Sequence, residues 1–211
     1  EPNTGKSNIL EALGLISFVE IFSITGRGGI ELFKKFVRFK NISDLFFNKD
    51  TKSQISIITD NTKTYLEEVE SYTFALFQMH IPTGNIARML TFTSNGDITL
   101  NTRPALSKLN IKFYRFSLKE KFQAKYPGEL LPPDGENLVE SIKTNPEVFE
   151  LIDELLENYG YKLYLRDEEG EVEIARILKT GLRGYPYNSI SDTLQRLIFY
   201  LTAIKTNKNS I

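Results

Sequence analysis

Seven residues at the head of the sequence, Glu1-Pro2-Asn3-Thr4-Gly5-Lys6-Ser7, limit what this chain can fold into more than any other stretch. Phosphate-binding loops need a glycine, four residues, then Gly-Lys-Ser/Thr. Four residues precede Gly5, so the spacing predicts a glycine immediately ahead of Glu1. In such a loop the backbone N–H groups converge on the β-phosphate, helped by the positive end of the following helix. Gly5 allows close backbone approach, Lys6 reaches the β- and γ-phosphates, and the Ser7 hydroxyl suits Mg²⁺, a hard ion that prefers oxygen. Gly-Lys-Ser is a common tripeptide, so context decides. The context here is a helix over Ser7–Phe22, with Ile9, Leu10, Leu13, Ile16, Phe18 and Ile21 giving an apolar surface broad enough for burial.

The next stretch changes character. Gly26, Gly28 and Gly29 mark a loop, and Glu31–Phe39 reads as a short helix or a turn into a strand. Strand patterns follow at Gln54–Thr59 and Tyr72–Phe77. Met89–Thr93 and Asp97–Asn101 flank Ser94-Asn95-Gly96 as a hairpin, and Ile111–Phe116 reads as one more strand. Residues 50–117 are therefore expected to be mostly antiparallel. Beyond the turn Pro132-Pro133-Asp134-Gly135, helices are expected over Glu136–Thr144 and from Pro146 to Gly160. A hairpin, Tyr161–Leu165 with Val172–Ile177, surrounds Asp167-Glu168-Glu169-Gly170, and a last helix covers Ser191–Lys205.

The opening residues carry a family resemblance. Glu1-Pro2-Asn3-Thr4-Gly5-Lys6-Ser7-Asn8-Ile9-Leu10-Glu11-Ala12-Leu13 resembles the start of SMC, RecF and OLD-type ATPases. Asn8 and Glu11-Ala12 are what set that group apart from GTPases and kinases; Asn3 sits one place later than the asparagine in most such loops. Pro133-Asp134-Gly135-Glu136-Asn137-Leu138 is similar to the group's Asp-Gly-x-Asn-Leu turn, and residues 189–204 resemble its signature helix. Ser191 would be the signature serine, facing the nucleotide of a partner subunit. Asp192-Thr193 stands where the group usually has glycine, so Ser191-Asp192 is equally open to being a plain helix cap.

The resemblance implies an α/β P-loop NTPase of the ABC/SMC type with an antiparallel β-rich subdomain, incomplete before Walker B. Its parts would be 1–49 (phosphate loop and first helix), 50–128 (β-rich subdomain), 129–190 (helical region and hairpin) and 191–211 (signature helix). It implies ATP and Mg²⁺ as ligands, held by Asn3, Thr4, Gly5, Lys6, Ser7 and Asn8 with the metal on Ser7. It also implies a homodimer closed through a nucleotide sandwich, a DNA or effector-protein partner, and a role in DNA repair or defence against phage. Walker B and the catalytic glutamate would lie beyond Ile211, so these residues alone are not expected to turn ATP over. Gln78 and Gln123 are the two positions considered for a Q-loop, each read first as a surface or core-edge residue. The alternative is a regulatory or protein-interaction module of the same fold that hydrolyses nothing.

Other classes are constrained by what the chain holds. It has no cysteine, which agrees with a cytoplasmic setting and excludes thiolate metal sites. His80 is its one histidine, so a histidine-built metal site or Ser-His triad has little to work with; it is read as a loop or strand-end residue. Net charge is −1, and Ala12–Phe22 is interrupted by Glu20 and too short to span a bilayer, so no membrane partner is expected. Asn207-Lys208-Asn209-Ser210 lacks the carboxylate that would read guanine. A small-molecule kinase would want an arginine-rich lid, and between Gly160 and Gly184 only Arg166, Arg176 and Arg183 occur, in a hairpin. Tyr185 and Tyr187 are read as an aromatic turn packed on the core.

Overall fold

Helix α1 spans Lys6–Thr25. The computed structural model describes residues 6–25, 29–93, 95–101 and 111–207. The chain is mixed α/β, with two antiparallel sheets, and divides into two compact units, 1–113 and 114–210.

In the first unit α1 is apolar around most of its circumference, and Leu15, Ile16, Phe18, Val19, Ile21 and Phe22 are buried. Its second helix, α2 (Ile30–Phe36), crosses it closely because position 14 is glycine: a Cβ there would lie 2.4 Å from the Phe36 carbonyl oxygen. Phe18 and Phe33 rings then meet at 4.7 Å. The sheet is a meander in chain order: β1 (Ile55–Ile58), β2 (Thr62–Glu70), β3 (Thr73–His80), β4 (Ile86–Phe92) and β5 (Ile98–Leu100). Register places Ile55, Leu66, Leu76, Leu90 and Leu100 in one row across all five strands. That row, with Phe74 and Phe92 beside it, is the sheet's contribution to the core shared with α1 and α2. Tyr72 opens the strand expected over Tyr72–Phe77, but in the structure it is the turn residue before β3, with φ 59°. The hairpin around Asn95-Gly96 forms between β4 and β5 as expected, and His80 closes β3.

Ile111–Phe116 departs from expectation. It carries no regular secondary structure and belongs to no sheet. Its amides are met one by one instead of by a ladder: Phe113 N–H donates to Ser17 Oγ (3.0 Å) and Arg115 N–H to the Pro133 carbonyl (2.7 Å). The large aromatics were a true signal of burial, since Phe113 packs on the first core and Tyr114 and Phe116 on the second. Burial of side chains does not require strand pairing.

The second unit holds α3 (Leu138–Lys143), α4 (Pro146–Glu157), β6 (Tyr161–Arg166), β7 (Glu171–Leu178), β8 (Gly181–Pro186) and α5 (Asp192–Thr206). Pro146 occupies the first turn of α4, where its missing N–H costs nothing. The β6–β7 hairpin turns at Gly170 (φ 69°), and a third strand, β8, extends it. Val148, Ile152 and Leu156 of α4, Leu163, Val172 and Ile174 of the sheet, and Ile198, Phe199 and Ala203 of α5 form one core. No helix among the described residues is long and apolar enough to cross a membrane.

Candidate functional site

Of the three resembling stretches, the second and third lie wholly among the described residues and the first only from Lys6. Asn3, Thr4 and Gly5 lie outside the described residues; Lys6, Ser7 and Asn8 form the opening of α1. Nothing acidic stands in the first turn to oppose an anion. The nearest described carboxylate on the helix, Glu11, is engaged by Arg38 at 3.0 Å.

The Asp-Gly-x-Asn-Leu turn is accounted for by hydrogen bonding. Asn137 is wholly buried. Its Oδ1 accepts from Leu131 N–H (2.8 Å), and its Nδ2 donates to the carbonyls of Tyr126 (2.8 Å) and Glu129 (2.9 Å). One side chain thus ties three points of the 126–131 segment to the start of α3. Asp134 is nearly buried and bonds Lys119 at 3.0 Å. Gly135 has φ 64°, and a Cβ on it would come 2.8 Å from Phe199 Cε2, so the turn and α5 fit only with glycine there.

At the other end of α5, Ser191 is the N-cap. Its Oγ accepts a long bond from Leu194 N–H (3.4 Å) and remains exposed. Asp192 does not cap; it pairs with Arg196 one turn on, at 2.6 Å. That pairing offsets the charge that would repel a phosphate at this helix end. Below it, the Tyr187 hydroxyl donates to the Gln195 carbonyl at 2.6 Å. Burial is the main reason the Tyr187 phenol is pushed far above its ordinary range, with the Asp192 charge adding to it. Gln195 donates from Nε2 to Ile190 O (2.8 Å), while its buried Oε1 has no partner.

The structure therefore brings the second and third stretches together around Phe199 in the second unit, while the first lies in the first unit. Of the glutamines, Gln78 is buried on the core face of β3, opposite Thr64 and Ala87, with an unpartnered Oε1; Gln123 is exposed. Among the described residues no group of three or more His, Asp or Glu is placed to hold a metal ion. One feature escaped the sequence reading: Arg176 and Arg183 are direct cross-strand partners on β7 and β8. The absence of any acid between Ile174 and Ser191 was the available signal.

Comparison with protein-family models, with curated proteins and with solved structures returns no match.

Proposed function

We propose that this chain binds ATP with Mg²⁺ through residues 3–8, and belongs to a P-loop ATPase of the SMC/RecF/OLD kind that hydrolyses ATP in its intact form. The observation that supports the reading is that Lys6 and Ser7 lie in helix α1, behind a sequence segment with the spacing and composition of a phosphate-binding loop. In this reading Asn3, Thr4 and Gly5 wrap the phosphates, Lys6 offsets their charge, Ser7 ligates the metal, and Asn8 follows them in α1. Ser191 at the head of α5 would face the nucleotide of a second subunit, closing a homodimer. The exposed Ser191 hydroxyl and the Arg196-paired Asp192 are compatible with an anion approaching that end. A cytoplasmic role in DNA repair or phage defence rests on the resemblance of residues 1–13 and 133–138 alone.

Calorimetric titration of the chain with ATP and Mg²⁺ tests this. Binding is expected, weaker by about tenfold or more in Lys6→Ala, because a point charge on the β- and γ-phosphates is lost. Ser7→Ala is expected to weaken binding only when Mg²⁺ is present. Equal affinity in Lys6→Ala, or no binding of ATP and Mg²⁺ at all, would refute the assignment.

A further inference from the structure

The three-stranded sheet protects one of its edges and leaves the other open. On the β6 side, α4 covers the edge: Leu163 N–H donates to Asp153 Oδ1 at 2.7 Å, and Lys162 pairs with Asp153 and Glu157. On the β8 side no described strand follows, and residues 176–184 are all exposed. An open edge with unpaired backbone groups is a template for another strand.

The side chains along this edge sort by face. Arg176 and Arg183 are directly opposed and point to one face; Ile177 and Leu182, the next pair, point to the other. Like charges placed opposite each other across a ladder oppose pairing. Neither arginine has an ion pair among the described residues; Arg183 rests only on the Tyr185 ring, at 5.5 Å. Lys179 adds a third cation at the hairpin tip, and no Asp or Glu occurs from Ile174 to Ser191. On the opposite face Ile177 and Leu182 are 64% and 72% exposed, large apolar surface that nothing covers.

We infer that β8 receives an extended segment of a partner protein by strand addition, and that this segment alternates acidic and apolar residues. Its carboxylates lie beside Arg183, with Arg176 one strand further in, and relieve the like-charge pair. Its intervening apolar side chains pack against Leu182 and continue the apolar surface that Leu182 shares with Ile177. The period-2 alternation of a strand satisfies both faces at once. A nucleic acid would use the arginines but leave the apolar pair on the far face uncovered. A second copy docked through its own β8 would bring arginine toward arginine. The inference is independent of nucleotide binding.

The test uses the whole chain and a synthetic peptide of alternating Glu and Val, labelled with fluorescein and followed by anisotropy. Binding is expected, weakening with salt and falling about tenfold or more in Arg176→Gln/Arg183→Gln. A smaller loss is expected in Leu182→Ser, and circular dichroism verifies that both variants stay folded. The same peptide N-methylated at every residue is expected not to bind, because strand addition needs the backbone N–H groups of one of its edges. Equal binding by the N-methylated peptide, by a Lys-Val peptide or by the double variant would overturn the inference. So would no binding of the Glu-Val peptide, tighter arginine-dependent binding of a DNA duplex, or self-association of the chain that Leu182→Ser abolishes.

Discussion

Replacing Asn137 by aspartate changes almost no volume and reverses the sense of two hydrogen bonds. The native amide donates to the carbonyls of Tyr126 and Glu129 at 2.8 and 2.9 Å and accepts from Leu131 N–H at 2.8 Å. A carboxylate keeps only the last of these and sets an anionic oxygen against two carbonyl oxygens, with Asn137 fully buried. Deleting the side chain in Asn137→Ala forfeits three bonds of roughly 0.5–1.5 kcal/mol each, about 2–4 kcal/mol in all. Asn137→Asp at neutral pH adds an uncompensated buried charge and is expected to cost about 3–5 kcal/mol. For a unit of this size that is a fall in Tm on the order of 10–20 °C.

The aspartate variant also acquires a pH signature. Its introduced carboxyl is destabilised in the ionised form, so its folded-state pKa lies above the unfolded value near about 3.9. Stability is then greatest below that unfolded value and declines as pH rises through the folded one, opposite to ordinary acid denaturation. The chain has no tryptophan, so urea unfolding is best followed by far-UV circular dichroism between pH 4 and 8 (about), with hydrogen exchange of the Leu131 amide as the local readout. A variant within about 0.5 kcal/mol of wild type at neutral pH, or a deficit that does not grow with pH, would refute the account of Asn137 as the tie of this turn.

Two other substitutions test the first unit. Gly14→Ala should raise the helix propensity of α1 yet destabilise the protein by about 1–3 kcal/mol, because the new methyl would meet the Phe36 carbonyl at 2.4 Å; an unchanged or higher Tm would contradict the packing of α1 on α2. The Asp44 carboxyl is lowered from 3.8 to about 2, first by the Asn41 N–H at 2.8 Å and then by Lys49. A depressed folded-state pKa contributes stability above the ordinary value and loses it as pH falls towards about 2, so Asp44→Asn should flatten the acid limb between pH 3.8 and about 2. A carboxyl resonance of Asp44 titrating at the ordinary value would show that the Asn41 contact does not form in solution.

Legibility followed the physical strength of each signal. The buried helix α1, the proline-started α4 and the Gly170 hairpin were readable because apolar periodicity, Pro and Gly act locally. Strand β2 was not: Lys63, Glu67, Glu68 and Glu70 give it a polar look, and only Leu66 of its residues enters the first core cluster. Its pairing with β1 and β3 is tertiary information. Strand β8, with Gly181, Gly184 and Pro186, has poor intrinsic strand propensity and is held by its ladder to β7. Conversely, Ile111–Phe116 had the composition of a strand without a partner. At the head of α5 the Ser191 cap was legible, whereas the Asn137 ties needed three-dimensional neighbours.

The three resembling stretches do not carry equal weight once the structure is in hand. Gly135 is required by its left-handed backbone and by Phe199, Asn137 by the segment it ties, and Leu138 by its full burial. Ser191 has a sufficient role as the cap of α5. Each of these residues would be selected in any chain that builds this second unit, whether or not it meets nucleotide. The opening stretch is different: packing explains Gly14 and Phe18, while the order Gly5-Lys6-Ser7-Asn8 is what the sequence pattern of a phosphate-binding loop asks for. The nucleotide reading therefore concentrates on Lys6. A Lys6→Ala chain that keeps its Tm but loses ATP would separate function from folding at the one place where the two do not already coincide.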